Sequence, residues 1–262
     1  MMFKLSLIAV IFFLNFSVFA DEIAADNFGY KLTSLEYKLK NIQENGNDIG
    51  LDEADDKTVI VPIGFSFSFY GEEYTELEIS SNGFVTFTPT GDAVCCDGQV
   101  IPTLGGELDN FIAGYWQDFD LSESGVIRTL NQDINGQTTF TIGFYQLADN
   151  DNASEAVSTF EITLYQGTND IELQYAQIQY DEIDDKVLGI ENQDGSDGIQ
   201  LAFYEANNGM ANGTILQQEK GYCFSTKYQC KTPTKEPTPI PEPPMILLFI
   251  LSSLFLATRY FK

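Results

Sequence analysis

Residues 139–145 read TFTIGFY, residues 158–165 read STFEITLY and residues 171–175 read IELQY. Each stretch alternates. The first sets Phe140, Ile142 and Phe144 on one face, the second Phe160, Ile162 and Leu164, the third Ile171, Leu173 and Tyr175. Successive side chains of an extended chain point to opposite faces, so this period of two predicts strands with one face on a core. The links are short. QGTND at 166–170 reads as a hairpin loop, and Asn135-Gly136 is a strong hairpin signal between GVIRTL and QTTFTIGFY. No stretch keeps a helical period with caps. Short strands with turn signals predict an all-β chain folded as an antiparallel, jelly-roll-like β-sandwich.

The pattern extends upstream. Residues 59–87, VIVPIGFSFSFYGEEYTELEISSNGFVTF, read as strands turning at Gly71, with Gly83 at a second turn or bulge. Trp116, the single tryptophan, reads as core. Asp118 and Asp120 follow it at alternate positions, on one face if the strand continues. They are the metal candidates, for Ca²⁺: Asp120, Ser122, Ser124 and Gly125 partly mimic a calcium loop, but Asn131 stands where a bidentate Glu is required. The plainer role of both is turn and backbone hydrogen bonding. The acidic runs at 52–56, 149–152 and 181–185 read as solvated loops.

The chain carries a formal charge of −26. Lys4, Arg259 and Lys262 against Glu242 give the two ends +2, leaving −28 on residues 21–241. Such a surface is repelled by phosphate backbones, so nucleic acid is excluded as an expected partner. Histidine is absent, which removes Ser-His-Asp and Cys-His catalysis and makes a zinc site untenable. The four cysteines are Cys95, Cys96, Cys223 and Cys230. An even count in an exported chain suggests disulfides. Cys223 and Cys230 are spaced for a short loop and are expected to pair. That leaves Cys95 beside Cys96, where a bond would be strained, so cross-pairing between the clusters is a rival.

Both ends read as addresses. Residues 1–20 have Lys4, an apolar run and Ala20 before Asp21, the pattern of a secretory signal peptide. One domain is expected over 21–230. Six of the nine prolines fall between Pro233 and Pro244, so 231–244 reads as an extended stalk. Residues 245–258 then form an apolar span and 259–262 a basic cytoplasmic tail.

Two resemblances sharpen this. The 59–87 stretch, CCDGQVIPTLGGELDNFIAGYWQDFD at 95–120, TFEITLYQGTNDIELQYAQI at 159–178 and VLGIENQDGSDGIQLAF at 187–203 together resemble a β-sandwich module of secreted bacterial proteins. It is distantly similar to the extracellular nidogen and plexin-domain-containing modules, and it implies adhesion or matrix work without catalysis. The C-terminal end resembles the PEP-CTERM sorting signal of exopolysaccharide-producing Gram-negative bacteria. The matching residues are Pro241, Glu242 and Pro243, the apolar run and the sparse basic end. That resemblance implies passage through the inner membrane and processing by an exosortase near the motif.

The expected function is therefore a non-catalytic surface or matrix protein that binds exopolysaccharide or a surface protein. One alternative is a glycan-active sandwich enzyme, which needs two facing carboxylates. Glu76 with Glu78, and Glu161 on the Thr163 and Tyr165 face, are the places to look. Another is a calcium-stabilised structural domain. Exposed aromatics clustered beside carboxylates would favour sugar binding.

Overall fold

The computed structural model describes residues 22–94, 96–134, 136–150, 157–179, 184–206, 209–213 and 218–227. In chain order the strands are β1 (Glu22–Ala25), β2 (Lys31–Leu35), β3 (Asn47–Asp48), β4 (Thr58–Phe69), β5 (Glu72–Ser80), β6 (Phe84–Thr86), β7 (Phe111–Trp116) and β8 (Val126–Ile134). They continue as β9 (Gln137–Ala148), β10 (Val157–Tyr165), β11 (Ile171–Gln177), β12 (Lys186–Glu191), β13 (Gly198–Glu205), β14 (Gly209–Gly213) and β15 (Lys220–Ser225). The expected signal peptide, stalk, sorting motif, apolar span and basic tail lie outside the described residues.

Two antiparallel sheets result. Their orders are β1-β2-β15-β11-β10-β9-β8-β3 and β14-β13-β12-β7-β6-β5-β4. The expected all-β architecture holds, but the jelly-roll detail does not. Strands β8 to β11, and β4 to β7, lie side by side as meanders, whereas a jelly roll interleaves two Greek keys. The reason is local. Tight connections such as Tyr70-Gly71, both at positive φ, return each strand beside the one before it.

All nine alternating residues of β9, β10 and β11 are at most 2% exposed. They pack in one cluster with Ile63, Phe67, Leu77 and Ile79 of the facing sheet. Each large apolar side chain so buried contributes roughly 1.5–3 kcal/mol. Gly114 marks a close approach of the sheets: a Cβ there would lie 2.5 Å from the Phe160 ring.

The alternation predicts strands wet on their outer side, and here the structure differs. The outward residues Thr139, Thr141, Glu161, Thr163, Glu172 and Gln174 are buried too. Residues 36–46 cross over them as a strap. Glu161 accepts from Lys40 N at 2.7 Å, Asn41 N at 2.8 Å and Tyr145 Oη at 2.5 Å. Glu172 takes Lys40 Nζ at 2.7 Å and the Tyr165 hydroxyl. Trp116 is fully buried, but in a second, outer cluster with Phe84, Leu108, Phe111, Val187 and Phe203, with Val94 packed against it.

Ser80-Ser81-Asn82-Gly83 ties these layers together. Gly83 O accepts from Gly114 N and Tyr115 N, both at 3.1 Å. Asn82 Oδ1 accepts from Phe119 N at 3.1 Å, and Ser80 Oγ donates to Ala93 O at 3.1 Å. Gly83 has φ +80°, and a Cβ would stand 2.0 Å from Tyr115 O. The turn expected at Asn82-Gly83 is present, and no other residue fits.

Gly83→Ala is expected to destabilise by at least about 2 kcal/mol, since a strained φ and a backbone clash coincide. Urea unfolding of the variant measures it, and an unchanged midpoint would contradict the packing. Cys96 and Cys223 are both disulfide-bonded. Cys95 and Cys230 lie outside the described residues. Peptide mapping without reduction is expected to give Cys223–Cys230 and Cys95–Cys96.

Candidate functional site

The residues nominated by sequence fare differently. Pro241, Glu242 and Pro243 lie outside the described residues, as do Cys95 and Cys230. Strand β7 ends at Trp116, but residues 118–120 stay extended beside 148–150, Asp120 N donating to Ala148 O at 3.1 Å and Asn150 N to Asp118 O at 3.2 Å. The chain turns after Asp120, whose Oδ1 accepts from Ser122 N at 2.8 Å, while Asp118 Oδ2 accepts from Asn150 Nδ2 at 2.9 Å. Asp118 gathers with Asp56 and Cys96 within 4.8 Å, without Asp120. The Cys96 sulfur is in a disulfide, so two carboxylates remain as hard donors, against the 6–8 oxygens calcium takes. Asp149 is 2% exposed and forms an isolated bridge with Phe119, so that acidic run is not a wholly solvated loop.

The carboxylate pairs are also accounted for. Glu78 is 1% exposed and accepts from Thr58 Oγ1 at 2.7 Å, Thr90 N at 2.6 Å and Gly91 N at 3.0 Å, while Glu76 is exposed. Glu161 holds the strap. Each buried member is occupied by its own chain's donors.

The opposite end of the sandwich carries an open cleft of ≈ 260 Å³. Three segments build it. The Tyr70-Gly71 turn, with φ of 47° and 88°, carries Phe69 and Tyr70 on one side and Glu72 and Tyr74 on the other. Asn110, at φ 60° just before β7, lines it as well. The loop after β12 supplies the third wall with Asn192, Gln193 and Asp194.

Aromatic rings run through this end as a continuous row. Centroid separations are 5.2 Å from Phe28 to Tyr70, 4.8 Å to Phe69, 4.6 Å to Phe87 and 4.9 Å to Tyr74. Phe28 is 47% exposed, so the row reaches solvent. Tyr70 Oη donates to Asp26 Oδ2 at 2.8 Å, and burial keeps this phenol far above its usual range and neutral. Asp197 fixes the start of the row, accepting from Asn27 N at 3.2 Å and Phe28 N at 2.8 Å.

Polar groups converge from the other side. Asn110 is 1% exposed; its Nδ2 donates to Tyr74 Oη and Thr88 Oγ1, each at 2.9 Å, and its Oδ1 has no hydrogen-bond partner. Asp194 lies exposed on the rim, its carboxyl held below the usual range by Ser196. Beneath the rim, burial and the Asp194 charge raise Asp109. Glu191 is fully buried and pushed up to about 7, by burial first and then by Asp109, against hydrogen bonds from Thr103 N at 2.7 Å and Gln99 Nε2 at 3.0 Å. Among the described residues, no lysine or arginine lines the cleft.

In the sequence these residues stand in ordinary strands and turns, and none is among the candidate site residues. The available signal was tyrosine at a tight turn and an Asx-rich loop, Asn192 to Asp197. Their nearness in space is not written in their spacing.

Glu191 sets a pH dependence. Its folded value exceeds the ordinary glutamate value of 4.5, so the folded state holds the extra proton between about 4.5 and about 7. Stability from this group is full below that window and lost as pH rises through it. The melting temperature is expected to fall from pH 5 to pH 8, and Glu191→Gln to flatten that slope. A rise for the wild type over that interval would contradict the assignment.

No curated protein and no solved structure matches this chain. The family model described as NIDO related matches residues 29–227, which takes in strands β2 to β15 and the residues lining the cleft, and the chain belongs to that family.

Proposed function

We propose that this chain is a non-catalytic module of the cell surface or extracellular matrix, binding polysaccharide through the cleft at Tyr70 and Tyr74. One observation carries the reading: two half-buried tyrosines, Tyr70 and Tyr74, line an open cleft whose other walls are amides and carboxylates. Sugar rings present apolar C–H faces and hydroxyl edges, which aromatic faces and fixed polar groups recognise together. The occupation of Glu78 and Glu161 by donors of their own chain supports binding over glycoside hydrolysis. Delivery rests on the sequence. The signal peptide is removed after Ala20, the chain is held at the inner membrane by its apolar span, and an exosortase cuts near Pro241–Pro243.

Two measurements test this. The exported full-length chain is incubated with the producer's exopolysaccharide, with and without calcium. Co-sedimentation without depolymerisation is expected, weakened roughly tenfold or more by Tyr74→Ala. Oligosaccharide release that vanishes on substituting a particular Glu pair would establish the enzyme instead. Intact mass of the native protein is expected to lack residues 1–20 and the tail beyond the motif. Retention of Met245–Lys262 in the mature species would refute processing.

A further inference from the structure

We propose that the cleft selects an amino sugar, a hexosamine unit bearing a free ammonium group, and seats one such unit at a time. The inference rests on the polysaccharide reading above and adds the ligand's charge and size.

Charge comes first. Glu72 and Asp194 are both exposed carboxylates on the cleft wall, and among the described residues no cationic side chain lines it. Asp109, just behind, carries a buried Oδ1 with no hydrogen-bond partner, and its carboxyl is raised by burial and the neighbouring Asp194. This end of the sandwich therefore concentrates negative charge that the protein itself leaves uncompensated. A polyanionic glycan meets repulsion there and a cationic one attraction. The second observation is independent. Asn110 sits on the cleft wall 1% exposed, its Nδ2 held by Tyr74 and Thr88, and its Oδ1 is unpartnered. A buried carbonyl oxygen without a donor is costly, and a ligand N–H or O–H is the group that removes the cost.

The occupant is not a bare metal ion. Among the described residues, the one set of three acidic or sulfur groups converging within 4.8 Å is Asp56, Cys96 and Asp118, at the other end of the molecule. The cleft lining holds two carboxylates, Glu72 and Asp194, against the 6–8 oxygens that calcium takes, whereas a ring that carries its own donors needs no such set. Size and shape complete the assignment. The cleft measures ≈ 260 Å³, below the roughly 300–1,000 Å³ of pockets that enclose drug-sized ligands. That suits one pyranose unit, its apolar face on the tyrosine side and its ammonium toward Glu72 and Asp194.

The test titrates the exported full-length chain with glucosamine oligomers, N-acetylglucosamine oligomers and glucose oligomers of equal length, and with a lysine-rich peptide. The expected result is glucosamine binding at least tenfold tighter than that of the two uncharged oligomers and of the peptide. That preference is expected to fall at least fivefold in Glu72→Gln with Asp194→Asn, to be unaffected by Glu123→Gln at the far end, and to weaken with added salt. Both cleft residues are exposed, so the melting temperature of the double variant is expected to stay at the wild-type value. Equal binding of all three oligomers would overturn the amine selectivity and leave polysaccharide binding standing. Tightest binding of the peptide would overturn it in favour of a protein partner. A preference that survives the double variant would remove it from this cleft. Failure to bind any oligomer would overturn it outright, and loss of exopolysaccharide co-sedimentation as well would take the underlying reading with it.

Discussion

Glu161 has no exposed surface, yet it is a carboxylate on the outward side of a strand. Burying such a group is tolerable only where donors meet it. Two backbone N–H groups of the 36–46 strap and one tyrosine hydroxyl do so. The same strap brings Lys40 to Glu172 and Lys38 N to Gln174 Oε1 at 2.8 Å. The outer side of the eight-stranded sheet is thus a polar layer that a single irregular segment must satisfy. Breaking one such contact leaves a buried charge or an orphaned N–H behind.

The facing sheet solves the corresponding problem with apolar contacts. Its outer side carries Phe84, Phe111, Trp116 and Val187, and the segment after β6 folds back over them. Trp116 Nε1 donates to Val94 O at 3.3 Å, which satisfies its polar atom inside that layer. The Ser80–Gly83 turn joins this cover to the central core, since its backbone meets β7 while its side chains hold the flanking loops. The sandwich is therefore four layers deep, with two sheets at the centre and an irregular cover on each. Edge strand β4 is handled separately. It carries Pro62, and its free edge is met by Asn131 Nδ2 on Ile63 O at 2.7 Å and Asn169 Oδ1 on Ser68 N at 3.1 Å, which discourages further strand pairing.

With both broad faces covered, the ends of the sandwich are what remain for recognition. The end holding the β4–β5 turn gathers the aromatic row, the Asx-rich loop and Asn110. Tyr70 and Asn110 sit there at positive φ without the freedom of glycine. Such backbone is held in place by its surroundings, here the Asp26–Tyr70 hydrogen bond and the Asn110 N bond to Asn192 O at 2.9 Å. Rigid support of this kind positions a binding surface with little ordering left to do when a ligand arrives.

The sequence by itself determined the strands, most of their turns and the buried inner set. Alternation at Phe140 to Phe144, Phe160 to Leu164 and Ile171 to Tyr175 is a local property of an extended chain, and hairpin turns are read from two or three residues. It also excluded catalysis that depends on histidine, because composition alone decides that. The fate of the outward residues depended on tertiary structure. Thr141, Glu161 and Gln174 look like a wetted face until residues 36–46, more than a hundred positions away, lie across them. Trp116 was legible as buried, but not as part of an outer layer. Asp118 and Asp120 alternate on a short extended stretch beyond β7, but the gathering of Asp118 with Asp56 and Cys96 is a long-range contact that spacing does not show. The cleft was invisible for the same reason as the strap: Tyr70, Asn110 and Asp194 are unremarkable in their own segments. Only the antiparallel return of β4, β7 and β12 to one end of the sandwich makes them neighbours.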